Sequence, residues 1–239
     1  MDNDLSSENE RNYYVKRKKL LLRQFNAALK FVRNKLVEQF GETKVKEIIV
    51  QAQEDFENLL PQIPYVGGKD NPLTDDMINS AILLPLLRIF EKEGLSLKEI
   101  GKLTYNLYEI FYKFIPLTDD IFSEEYINQL KENAKKSKEG KYPGNWVWDF
   151  VEGDGKTFNY GVNYFECGVY KFYKSQGAEH FMPLVCIADF AQARTYGYGF
   201  KRTQTIGNGA SFCDFRYIKD GITPQAWPPD NLTEFKLKL

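Results

Sequence analysis

The residues of this chain that could do chemistry gather toward its C-terminus: Cys186 and Asp189, the pair Arg202-Thr203, and the run Cys213-Asp214-Phe215-Arg216. On a helix across 179–196, Met182, Cys186, Asp189 and Ala193 are spaced three and four residues apart and share one face. Asp189 is then a carboxylate on a mainly apolar stripe, where burial makes its charge costly unless an arginine, a backbone amide or a ligand pairs with it. Such a group is either a satisfied structural carboxylate or a site acid or base. Cys186 and Cys213 are candidate nucleophiles, because a thiolate in an electropositive setting attacks an electrophilic carbon directly. The competing reading of each thiol, Cys167 included, is a small buried hydrophobe. Zinc held by the thiols with His180 or Asp189 lacks a Cys-x-x-Cys pair to support it, so neither metal nor cofactor is expected.

The last of these residues belong to a strand. Alternation puts Cys213, Phe215 and Tyr217 on one face and Phe212, Asp214 and Arg216 on the other. The first set is the more apolar and should pack beneath helices, which would let Cys213 approach Cys186. Asp214 and Arg216, two apart on the second face, could equally be an ordinary surface ion pair.

The elements that must position these groups begin after Tyr142-Pro143-Gly144. Residues 146–151 and 157–163 alternate apolar with polar around a Gly-Asp-Gly turn, the pattern of a β-hairpin. Two helices are expected over 166–175 and 179–196, separated by Gly177, and a second hairpin over 200–206 and 212–218 around Gly207-Asn208-Gly209. The order is ββααββ: an antiparallel sheet covered by helices, in an α+β fold. The tail, with Pro224, Pro228 and Pro229, should run irregularly over the surface.

Cys167 through Gly177, Pro183-Leu184-Val185-Cys186, Asp189, and Arg202-Thr203-Gln204-Thr205 through Gly209 to Cys213-Asp214-Phe215-Arg216-Tyr217 together resemble the L-2-amino-thiazoline-4-carboxylic acid hydrolase family. The resemblance extends from about Trp146 to Tyr217, its most specific part being the closing arginine-threonine segment, glycine turn and Cys-Asp-Phe-Arg. It implies a hydrolase that adds water at the carbon of a cyclic amidine and opens the ring to an N-carbamoyl cysteine. Asp189, Cys186 and Cys213 would then be catalytic, and Arg202, Thr203, Asp214 and Arg216 would bind substrate. An amidinium matches the carboxylate of Asp189 or Asp214, and a substrate carboxylate suits a bidentate Arg202 or Arg216. His180, the single histidine, stands where the family pattern has an apolar residue and is given no catalytic role. A weaker likeness to vinyl-reductase-type sensor domains, which also end in a glycine turn and a Cys-x-Phe strand, implies instead a non-enzymatic module that binds a small molecule.

Upstream, helical periodicity is continuous. Leu21, Phe25, Val32, Leu36 and Phe40 precede Gly41; Val45, Ile48, Ala52, Phe56 and Leu59 follow it, with Thr43 as a candidate cap. A third helix over 74–93 contains Pro85, which should kink it or mark a new start near Leu84. Ser96 with Glu99 forms a capping-box pattern ahead of a fourth helix, and Ser123 with Glu124 and Glu125 opens a fifth that ends in lysines. The chain is therefore expected as a helical region over 1–141 and a hydrolase-like α+β domain over 142–239, with their packing as one unit left open.

With 239 residues, 43% hydrophobic and 15% aromatic, the chain has enough apolar material for a sizeable core. A net charge of -1 gives no field for nucleic acid or an anionic membrane, and the run Lys16-Arg17-Lys18-Lys19 reads as a solvated helix face. The polar start lacks an apolar signal core, and no apolar stretch is long enough to span a bilayer. Three widely spaced cysteines do not form a disulfide framework. A cytoplasmic protein is expected, with a small-molecule substrate and no nucleic-acid or membrane partner, and self-association is left open.

Overall fold

The computed structural model describes residues 12–235. They form two compact units, one of residues up to Ser96 with Tyr142–Gly144, the other of Leu97–Lys141 with Asn145 onward.

In the first unit, α1 (Lys18–Phe40) buries Leu21, Phe25, Leu29, Val32 and Leu36, and α2 (Glu42–Leu59) buries Val45, Ile48, Ala52, Phe56 and Leu59. The two stripes meet, with Phe25 and Phe56 stacked at 5.1 Å between ring centroids. Gly41, at φ +79°, ends α1 and begins α2, so the start lies at this glycine and not at Thr43. The third helix, α3 (Thr74–Lys92), runs through Pro85 without a break and buries Met77, Ala81, Leu84, Leu87 and Phe90. Burial around much of its circumference supplies packing that outweighs the one missing N–H.

The second unit gathers α4 (Leu97–Phe114) and α5 (Glu124–Ser137) with a four-stranded antiparallel sheet. Periodicity cannot show this grouping, since it identifies an apolar face but not its partner. The strands are β1 (Val147–Glu152), β2 (Tyr160–Glu166), β3 (Gly199–Lys201) and β4 (Cys213–Ile218), in spatial order β1-β2-β4-β3. Between β2 and β3 lie α6 (Gly168–Ser175), α7 (Met182–Cys186) and α8 (Ala188–Tyr196). The helical stretch expected over 179–196 is thus divided at Ile187.

Register puts Tyr164 opposite Cys213, Val162 opposite Phe215, and both Tyr160 and Phe200 opposite Tyr217, all on one face of the sheet. This inner face meets the helices, with Phe190 of α8 edge-on to Phe200 at 5.0 Å. Phe190 and Phe200 are each 1% exposed, and burying one such ring stabilises the fold by about 1.5–3 kcal/mol. The outer face carries Asn163 opposite Asp214, and Gly161 and Lys201 opposite Arg216.

A side chain binds the backbone at each sheet edge. Ser137, at the end of α5, accepts from the N–H of Trp148 on β1 at 3.1 Å. Thr223 accepts from the N–H of Phe200 on β3 at 2.8 Å and donates to the carbonyl of Tyr198 at 2.6 Å. Neither edge offers those groups to another chain.

Two expectations need correction. The third strand does not continue to Ile206 but stops at Lys201, because Arg202 turns inward to carboxylates and Thr203 is tied to the Asp214 side chain. The tail is irregular but not superficial: Thr223, Ala226, Trp227, Leu232 and Glu234 are all buried. Gly101 explains part of this, since a Cβ there would stand 2.3 Å from the Trp227 ring and 2.9 Å from Leu184. The bare glycine backbone lets the indole seat on α4.

Candidate functional site

The site is built around Arg202. Alternation at the end of β3 turns Lys201 outward, where it is exposed, and Arg202 inward, where its side chain is 1% exposed. Its guanidinium carbon lies over three rings of the inner layer, 4.9 Å from the centroid of Phe215, 5.2 Å from Phe190 and 5.6 Å from Phe200. Such faces attract a cation but supply no hydrogen-bond acceptors. Those come from two carboxylates and a carbonyl: Nη1 donates to Asp189 Oδ2 at 2.5 Å, Nε and Nη2 to Glu234 at 2.7 and 2.6 Å, and Nη2 also to the main-chain oxygen of Cys186 at 2.8 Å. Burial works against the guanidinium charge, but the hydrogen bonds and charge of Glu234, together with Asp189, outweigh it and raise its pKa further.

The two carboxylates are not equivalent. Glu234 is 1% exposed, whereas Asp189 keeps 35% of its side-chain surface open. Burial nevertheless raises the Asp189 pKa, against the opposing charge and hydrogen bond of Arg202 and with the charge of Glu234 adding to the rise. Asp189 is thus a carboxylate that burial disfavours in its charged form yet that keeps part of its surface open. It can take a proton from a bound molecule while Arg202 fixes its far side.

Each of the three thiols lies near enough to Asp189 to feel its charge. Cys186 and Cys213 also interact with one another, as the strand alternation anticipates. Cys167 caps α6, its sulfur accepting from the N–H of Tyr170 at 3.4 Å. Cys213 accepts from the N–H of Ile206 at 3.3 Å. Cys186 lies against Gly207, where a Cβ would come within 2.8 Å of its sulfur. Burial raises all three thiols, Cys213 to about 12 and Cys186 well above its ordinary value even with Arg202 lowering it. All three are therefore protonated at neutral pH.

Tyrosines supply further polar groups. Tyr108 of α4 points its hydroxyl toward the Val185 carbonyl at 3.5 Å, and burial, then Tyr173, Tyr112, Cys186 and Asp189, raise its pKa. Tyr198 is raised by burial and by Asp189, and Tyr217 by burial and by Tyr164, Tyr160 and Tyr198.

The sheet divides the candidate residues into two sets. Asp189, Arg202, Cys186 and Cys213 come together on the inner side. Asp214 and Arg216 lie on the outer face with Thr203 beside them. The Asp214 carboxylate accepts from the Thr203 N–H at 2.8 Å, the Thr203 hydroxyl at 2.6 Å and the Gln204 N–H at 2.9 Å. Arg216 donates to Asn163 at 2.9 Å and to the Phe215 carbonyl at 2.8 Å. Neither is placed beside Asp189. His180 is exposed, its ring 4.0 Å from that of Phe181. Among the described residues no group of three or more His, Cys, Asp or Glu is arranged to hold a metal ion, and no helix is long and apolar enough to cross a membrane.

Sequence reasoning missed Glu234 and Tyr108. The signal for Glu234 was slight: a lone carboxylate between Leu232 and Phe235 after a proline-rich stretch. Tyr108 stands on α4 one turn beyond the buried Thr104, on a helix with no motif to single it out.

Residues 82–217, more than half of the chain, match the model of the family described as L-2-amino-thiazoline-4-carboxylic acid hydrolase, and the chain belongs to that family. Glu234 lies beyond the matched residues. No curated protein and no solved structure matches the chain.

Proposed function

We propose that the Asp189 site hydrolyses a small cyclic amidine that also bears a carboxylate, of the 2-amino-thiazoline-4-carboxylate type. The observation that carries this reading is the state of Asp189: partly open, desolvated enough to be raised, and pinned from behind by Arg202. A positively charged amidine is attracted to such a carboxylate.

In the reaction, ionised Asp189 takes a proton from water as the water oxygen bonds to the amidine carbon. The tetrahedral adduct then expels sulfur. The carbon–sulfur bond breaks, the proton on Asp189 passes to the departing sulfur, and the adduct hydroxyl loses its proton to solvent as its oxygen becomes the carbonyl. One water is consumed in converting the amidinium to a carbamoyl thiol and a released proton. Arg202 acts through Asp189: with four N–H bonds already made to protein, its fork is not free for the substrate carboxylate. The protonated thiols of Cys186 and Cys213 serve as walls in this scheme.

Thiol release from the amino-thiazoline carboxylate tests the proposal. Wild type should release thiol, and Asp189→Asn should lose about 10²-fold or more in rate while remaining folded. Normal turnover by a folded Asp189→Asn protein would overturn the role of Asp189. If wild type releases no thiol yet the compound raises its melting temperature, the chain is a binding module; if neither occurs, the substrate class is wrong.

A further inference from the structure

We propose that Glu234, delivered by the C-terminal tail, is a positioning residue of the Asp189 site, acting through the Arg202 guanidinium that both carboxylates share. The inference rests on the hydrolytic reading for its kinetic consequences, but the geometry stands apart from it. Glu234 binds Arg202 through both carboxylate oxygens, at 2.6 and 2.7 Å, and each partner is 1% exposed. This is the bidentate fork-to-fork arrangement that fixes a guanidinium in plane and in rotation. Arg202 can then offer only its remaining N–H groups to Asp189 and to the Cys186 carbonyl.

The tail is placed before it reaches Glu234. Thr223 bonds to the backbone of β3 through its hydroxyl, and its own carbonyl accepts from Arg194 at 3.1 Å. The N–H of Ala226 points to the Tyr105 hydroxyl at 3.4 Å. Trp227 seats on Gly101 and stands edge-on to Phe235 at 6.2 Å, and Leu232 is buried. Anchors on both sides of Glu234 make its carboxylate a fixed part of the second unit.

The charge arrangement gives this tie a chemical consequence. One guanidinium between two carboxylates leaves an excess of one negative charge when all three groups are ionised. Glu234 is almost wholly shielded from solvent and Asp189 is not, so the excess falls on Asp189, the carboxylate that keeps part of its surface open. Without the Glu234 charge, Arg202 would neutralise Asp189 more fully and make it a weaker base.

Glu234→Gln in the full chain tests this. The expected result is a kcat lower by about 10- to 100-fold with KM little changed, and an acid limb of the pH–rate profile moved to lower pH by about one unit. An infrared titration of the aspartate carboxyls, with Asp189→Asn as the reference, reads the same shift without any substrate. If wild type proves inactive but Glu234→Gln still lowers the titration of Asp189, the hydrolytic reading fails and the positioning role stands. If wild type turns over and Glu234→Gln leaves both kcat and the acid limb unchanged, the positioning role is overturned. Should Glu234→Gln not fold, Glu234→Asp keeps the charge but shortens the reach. It should lower kcat with the acid limb in place, and wild-type kcat in that variant would equally overturn the proposal.

Discussion

Arg202 donates to the main-chain carbonyl of Cys186 at 2.8 Å, and that carbonyl is the one an unbroken helix would have offered to the N–H of Phe190. Phe190 instead donates to Ile187, one residue nearer, at 3.2 Å. A side chain inserted into the helical ladder is a known way to interrupt it, and here the interruption falls at Ile187, between α7 and α8 and two residues before Asp189. Folding and site geometry therefore depend on the same guanidinium.

Arg202→Met should accordingly destabilise the protein by about 3–5 kcal/mol at neutral pH, because it strands the carboxylates of Asp189 and Glu234 without their partner. Asp189, already raised by burial, can escape by taking up a proton, so the deficit should shrink as pH falls. Urea unfolding of both proteins at pH 5 and pH 8 measures it. A deficit equal at the two values would show that lost packing, and not the stranded charge, is responsible.

Gly207→Ala puts a methyl within 2.8 Å of the Cys186 sulfur and 3.3 Å of the Met182 Cβ. Overpacking of this kind costs about 1–3 kcal/mol. Cys186→Ala removes the obstructing sulfur, so the double variant should recover much of the loss, a coupling that a thermodynamic cycle of unfolding free energies detects. Simple additivity would mean that the two residues do not meet.

How much of this could be read from the sequence depended on whether the pattern was local. The inner face of β4, with Cys213, Phe215 and Tyr217, followed from alternation, and the helices followed from their apolar periodicity. The end of β3 at Lys201 was not legible, because the alternating pattern continues past it and only the carboxylates that bind the Arg202 guanidinium interrupt it. The break at Ile187 was hidden for the same reason: no proline or glycine marks it, and its cause lies in a residue far along the chain. Glu234 was hardest to find, since its partner is 32 residues away and the intervening tail has no repeating pattern.

The outer-face residues invite a separate test. Asp214→Ala removes the acceptor for two backbone N–H groups and one hydroxyl in the 203–204 turn. It should cost about 1–3 kcal/mol of stability through those lost bonds. Since the carboxylate lies across the sheet from Asp189, the activity of the folded fraction should stay within about threefold of wild type, well short of the change expected for a group acting in the transition state. Calorimetry with parallel thiol-release assays separates the two effects. A large rise in KM with unchanged stability would instead give Asp214 the substrate contact that its chemistry allows.

Asp189 also predicts how stability responds to pH. Its carboxyl titrates above the ordinary aspartate range in the folded protein, because burial outweighs the pull of Arg202 and Glu234 adds to the rise. The folded state thus binds the proton more tightly than the unfolded chain does. Between the unfolded and folded pKa values the unfolded chain has already ionised while the folded one has not, so this residue's contribution to stability falls as pH rises through that window and is constant above it. Asp189→Asn carries no titrating proton and should lack the fall. Unfolding free energies of the two proteins, measured from pH 4 to pH 8, should diverge in favour of the asparagine variant as pH increases. Curves that stay parallel would mean that Arg202 fully offsets the burial of Asp189, leaving the carboxylate no more basic than any other aspartate and poorly suited to take a proton from water.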